Sequence, residues 1–142
     1  MPKTAIEERL EWFKAFIPLY EKAAPTIMYI ADPDRLRTGE LPVSLDMLMA
    51  SSLTLRPVLS AVRKLRKPKD KQLADIQRGF EVALNSCIKA AEATARYLKA
   101  QERGMEPRSQ FTEIISSIVL AQEYMQSVTQ VFEPLVDIEP EE

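Results

Sequence analysis

Between Phe111 and Leu135, apolar side chains recur every seven residues on two interleaved lines. One line is Phe111, Ile118, Met125 and Phe132; the other is Ile114, Ala121, Val128 and Leu135. A repeat of this period gathers its apolar positions into one stripe along a helix, and that stripe needs other helices to cover it. A chain with such a seam has few alternatives to a helical bundle.

Three further segments have helical period. Thr4, with Glu7 three residues on, is a capping-box signature opening a first helix. Ile6, Leu10, Phe13, Ile17 and Tyr20 form its expected core stripe, and Pro18 and Pro25 are expected to interrupt it. Asp32 to Pro42, with two prolines and a glycine, reads as the longest linker. Ser44 caps a second helix running to about Lys67, with Leu45, Leu48, Ser52, Leu55, Leu59 and Val62 inward and a break expected near Pro57. Asp70 caps a third, ended by Gly104, whose stripe is Leu73, Ile76, Phe80, Leu84, Cys87, Ala91, Thr94 and Leu98. The fourth starts near Ser109, and Glu133-Pro134 is expected to end it.

The expected fold is therefore all-α: an antiparallel up-down bundle of four long helices, the first and second kinked or split by proline. Residues 1–136 are expected to form a single helical-bundle domain, and 137–142 an acidic, disordered tail. Only three glycines occur, too few for a glycine-rich phosphate loop or an all-β chain of tight turns. The caps and heptads are generic to helical proteins and point to no family.

The chain contains no histidine, which removes Ser-His-Asp and Cys-His nucleophile pairs together with His-ligated zinc, haem and Glu-x-x-His di-iron sites. Its single cysteine, Cys87, falls mid-stripe on the third helix and reads as a small core residue. Glu7, Glu8 and Glu11 are a candidate carboxylate cluster, but on a helical wheel they point away from the core stripe. Asp75, Glu81, Glu92, Glu102, Glu113 and Glu123 also miss the seams, so no interior metal is expected. Asp32, Asp34 and Glu40 hold half of a calcium-loop pattern and read as a charged turn. The expectation is no enzyme, no cofactor and no metal.

No stretch longer than nine residues lacks a charged side chain, short of the ~20 that span a bilayer. The first dozen residues are acidic without an apolar run, unlike a signal peptide. With one cysteine, this leads to the expectation of a cytoplasmic protein with no membrane partner.

Two features suggest partners. Ala5, Trp12, Phe16, Leu19 and Ala23 form a second apolar line on the first helix, widening its greasy sector beyond that of an ordinary surface helix. Trp12, Phe16 and Leu19 are thus a candidate interface with a protein partner or a second copy, the commonest arrangement being a homodimer. The second feature is a basic run between helices two and three. Arg63, Lys64, Arg66, Lys67, Lys69 and Lys71 stand against one Asp and are a candidate anion-binding set. The chain as a whole has net charge −2, and no aromatic interleaves the run, so nucleic acid is the lesser expectation. Part of the charge sits where cations meet the negative end of a helix. From Ser109 onward there is no Lys or Arg but seven acidic residues, so the tail is expected to neighbour the basic turn, and its removal to raise affinity for nucleic acid. The favoured function is a non-enzymatic adaptor, regulatory or self-associating module acting through protein–protein contacts.

Overall fold

The computed structural model describes residues 4–34 and 44–138. Among the described residues there is no strand, and four long helices pack around one core: α1 (Ala5–Ile30), α2 (Leu45–Lys64), α3 (Lys71–Glu102) and α4 (Arg108–Ile138). Three N-caps stand where the sequence places them. Thr4 Oγ1 accepts from the Glu7 amide at 3.1 Å, and Ser44 Oγ accepts from the Met47 amide at 3.2 Å. Asp70 Oδ1 accepts from the amides of Gln72 and Leu73 at 2.8 and 3.2 Å. Each satisfies a donor that the first helical turn leaves without a partner. Gly104 follows α3 at φ 69°, a left-handed stop that glycine adopts without a Cβ clash.

The prolines do not divide the helices. α1 is continuous through Pro18 and Pro25, α2 through Pro57, and α4 passes Pro134 to reach Ile138 instead of ending at Glu133. Each proline leaves the carbonyl four residues earlier without its N–H. Those residues, Lys14, Glu21, Leu53 and Gln130, are all exposed, as are the prolines, so water can take the freed acceptors. α2 ends at Lys64, sooner than expected, because Leu65 is already extended. Arg63 and Lys64 alone of the basic run therefore lie in its last turn. Most of the linker, 35–43, and the tail beyond Ile138 lie outside the described residues.

α3 is the central helix, packing on α1, α2 and α4, and it buries more than one stripe: Gly79, Ala83, Ser86, Ile88, Ala90 and Ala93 join the residues expected inside. The heptad seam of α4 is buried from Ile114 to Phe132, with Phe111 37% exposed at its start. Small residues let the axes approach closely. A Cβ at Gly79 would stand 2.8 Å from Val128 Cγ2.

The core face of α1 differs from the expected one. Ile6 is 72% exposed, whereas Trp12, Phe13, Phe16, Tyr20, Ala23, Ala24, Ile27 and Ile30 are buried. The buried face runs between the two expected lines, taking Phe13 and Tyr20 from the first and Trp12, Phe16 and Ala23 from the second, because these aromatic rings remove the most area from water. Trp12 stacks on Phe16 with ring centroids 4.5 Å apart, and Phe16 meets Phe80 edge-on at 5.2 Å and Phe132 at 5.1 Å.

Pairs between helices fix their registers. Arg56 meets Glu92 and Arg63 meets Glu81 across α2 and α3. Arg96 meets Glu113 at 2.6 Å across α3 and α4. Arg9 reaches Asp70, Trp12 reaches Gln77 and Phe16 reaches Phe80 across α1 and α3.

Among the described residues, α2 is long and apolar enough to cross a membrane by length and composition. Its inward side chains, Leu48, Leu55, Val58, Leu59 and Val62, are buried against the other helices.

Candidate functional site: a groove beside the basic turn

The first turns of α1 and the connection between α2 and α3 enclose an open groove of about 740 Å³. Its lining includes the buried Trp12 and Leu73, the half-buried Leu65 and the exposed Ala15. Ile6 stands on its lip. The α1 wall carries Glu8 and Glu11, and the opposite wall carries Arg66, Lys67 and Lys69. Volume and apolar lining are those of clefts that hold ligands, a class spanning about 300–1,000 Å³.

Local chemistry sets this shape. α2 ends at Lys64 with Leu65 extended, Pro68 keeps Lys67 from resuming the helix, and the chain bends at Lys69 and Asp70 before α3 starts. Arg9 Nη1 binds Asp70 Oδ2 at 3.1 Å and ties the α3 cap to α1. The Arg9 guanidinium also lies 5.6 Å from the Phe13 ring centroid. Lys69 Nζ lies 3.9 Å from Glu8 Oε1, with Lys69 81% exposed, a contact that water and salt weaken. Trp12 donates its indole N–H to Gln77 Oε1 at 2.9 Å, which holds the ring in place in the lining.

The structure thus joins two features that are far apart in sequence, Trp12 and the basic run. It also corrects the role expected of the first. Trp12 is 6% exposed and Phe16 fully buried within this chain, and Leu19 is half-buried against the core, so the flank expected to meet a partner is covered by the protein's own helices. Burial of its aromatic rings in the core accounts for the width of α1's apolar sector.

The six candidate anion-binding residues separate onto two surfaces. Arg66, Lys67 and Lys69 line the groove. Arg63 and Lys64 line a second cleft of about 410 Å³ between α2 and α3, with Arg56, Lys89, Ser60 and Asn85, and with Glu92, which pairs with Arg56. Lys71, in the first turn of α3, is exposed and borders neither. Sequence reading missed Arg56, Lys89, Ile6 and Leu65 at these sites. The i, i+7 spacing of Arg56 and Arg63 was the available signal for the cleft. Acidic neighbours of the basic run are Glu8 of α1, beside Lys69, and Glu81 of α3, beside Arg63; of the tail expected at 137–142, residues 137–138 belong to α4 and 139–142 lie outside the described residues.

Elsewhere, burial pushes the Cys87 thiol from 9.0 up to about 12, which leaves it protonated and unreactive near neutral pH. Among the described residues, no three of Cys, Asp and Glu converge to hold a metal.

Comparison of the chain with models of known protein families, with curated proteins and with solved structures finds no match.

Proposed function

We propose that the protein is a non-enzymatic, cytoplasmic helical-bundle module that works through protein–protein contacts, and that the groove between α1 and the basic turn is its contact surface. One observation carries this reading. Apolar side chains of Trp12, Leu65 and Leu73 line an open groove whose rim is charged, the arrangement of a protein interface with an apolar centre and polar edge. Trp12 and Phe16 are buried within this chain, so the surface left for a partner is the groove around Ile6, Ala15 and Leu65 and not the aromatic flank itself. The reading includes an antiparallel up-down course for the helices. Its support is that residue numbers rise along α2 as they fall along α3 (Arg56 to Glu92, Arg63 to Glu81), while α1 and α3 rise together.

The test is affinity capture with the wild type and with Ile6→Glu/Lys67→Glu, followed by hydrogen exchange of the complex recovered. Loss of a partner in the variant, together with partner-dependent protection of residues 5–15 and 65–73, supports the groove. Equal capture by both chains rejects it.

A second reading, an anion site, draws on the α2–α3 cleft, where Lys64 and Lys89 stand beside Arg56 and Arg63, the two arginines being paired with Glu92 and Glu81. Titration with inorganic pyrophosphate tests it. Arg63→Glu/Lys89→Glu should abolish any binding seen with the wild type, and unchanged binding rejects the cleft.

A further inference from the structure

Resting on the groove reading, we infer that the groove takes an acidic amphipathic helix from a partner protein, with its apolar edge on Ile6, Ala15 and Leu65 beside the buried Trp12 and its carboxylates against Arg66 and Lys67.

The class of partner follows from the shape. Among the described residues there is no strand edge that an extended peptide could extend, which removes strand addition. A polyproline segment needs a row of aromatic ridges, and Trp12 is the one aromatic ring in the lining. What remains is an open apolar trough beside α1, which suits anchors projected from one helical face at positions i, i+4 and i+7. The 72% exposed Ile6 on the lip adds apolar surface that such a helix would cover.

The sign of the partner's charge follows from which wall groups are already satisfied. Glu8 is held by Lys69, and Asp70 by Arg9. Arg66 and Lys67 are exposed, and among the described residues no carboxylate reaches either of them. The unsatisfied charge of the rim is therefore positive and lies on one side. The unpaired cations sit on the α2–α3 side of the groove, so a helix with carboxylates on one flank can match them, whereas a lipid bilayer is too broad and flat to enter the groove where Arg66 and Lys67 face Ile6 and Ala15.

Trp12 is the single tryptophan of the chain and lines the groove, so its fluorescence reports occupancy. Three synthetic helical peptides with the same leucine stripe serve as probes, carrying Glu, Gln or Lys on one flank. The Glu peptide should bind about tenfold more tightly than the Lys peptide at low salt, with the Gln peptide between, and the gap should shrink as salt rises. Arg66→Glu/Lys67→Glu changes two exposed side chains, its fold being verified by circular dichroism, and should reverse the order of the Glu and Lys peptides. If the three peptides bind equally, or the order survives the charge reversal, the acidic helix is overturned while the groove reading stands. Binding to vesicles containing phosphatidylserine more tightly than to the Glu peptide also overturns it, in favour of a lipid surface. If none of the three peptides changes Trp12 emission or protects the groove amides, the groove reading itself falls.

Discussion

Trp12 of α1 donates its indole N–H to Gln77 Oε1 of α3 across 2.9 Å, joining residues 65 apart in sequence beside the groove. The bond satisfies the one polar atom of a ring that is otherwise stacked on Phe16. Gln77→Ala should cost about 1 kcal/mol, the low end for an orphaned donor because Gln77 is half-buried and water can enter. Urea unfolding followed by circular dichroism measures this, and a shift in Trp12 emission should accompany it.

Phe16 is fully buried among Trp12, Tyr20, Phe80 and Phe132. Phe16→Ala should lower stability by about 3–5 kcal/mol through lost burial and a cavity. Light scattering on the wild type and on Trp12→Ala/Phe16→Ala separates a core role from an interface role. Unfolding or aggregation of the variant fits the core, and a well-folded variant of lower oligomeric state contradicts it.

Gly79 of α3 lies against Val128 of α4. Alanine favours a helix over glycine by about 1 kcal/mol, yet its Cβ would stand 2.8 Å from a stiff β-branched side chain. The clash should win, so Gly79→Ala lowers the melting temperature. Adding Val128→Ala should return part of that loss, a non-additivity that a double-mutant cycle reads directly.

Tyr20 hydroxyl meets Thr129 Oγ1 at 3.2 Å and donates to Glu133 Oε2 at 3.1 Å. Burial, with the Glu133 hydrogen bond and charge, pushes its phenol from 10.0 up to about 12, against a smaller opposing effect of the Thr129 bond. Between these values the folded chain holds a proton that the unfolded chain has lost. Stability from this group is therefore complete below pH 10.0 and disappears as pH rises toward about 12. Tyr20→Phe should flatten the decline in unfolding free energy over that window, as read by denaturant titrations at each pH.

Cys87 is fully buried with its thiol held protonated. A thiol reagent at mildly alkaline pH should leave the native protein unlabelled, and labelling should quicken with denaturant as the bundle opens. Rapid labelling of the native chain would contradict the burial.

Much of the helix layout was legible in residues 44–136. Asp70, Gly104 and the heptads of α4 act locally, through a side-chain oxygen on a nearby amide or a spacing that holds whatever surrounds it. Prolines misled because their cost depends on where the freed carbonyl points. Pro134 looks like a terminator in sequence, yet its released acceptor belongs to the exposed Gln130.

The sequence by itself determined that the chain is helical, where most helices begin, and that it lacks histidine-based chemistry. These rest on composition and on interactions within a few residues. Only the tertiary structure decided which face of α1 is buried and that Trp12 lies beside Arg66 and Lys67. A helical pattern reports angles about its own axis, whereas the side that faces inward is chosen by side chains such as Gln77, Phe80 and Phe132, brought there by folding.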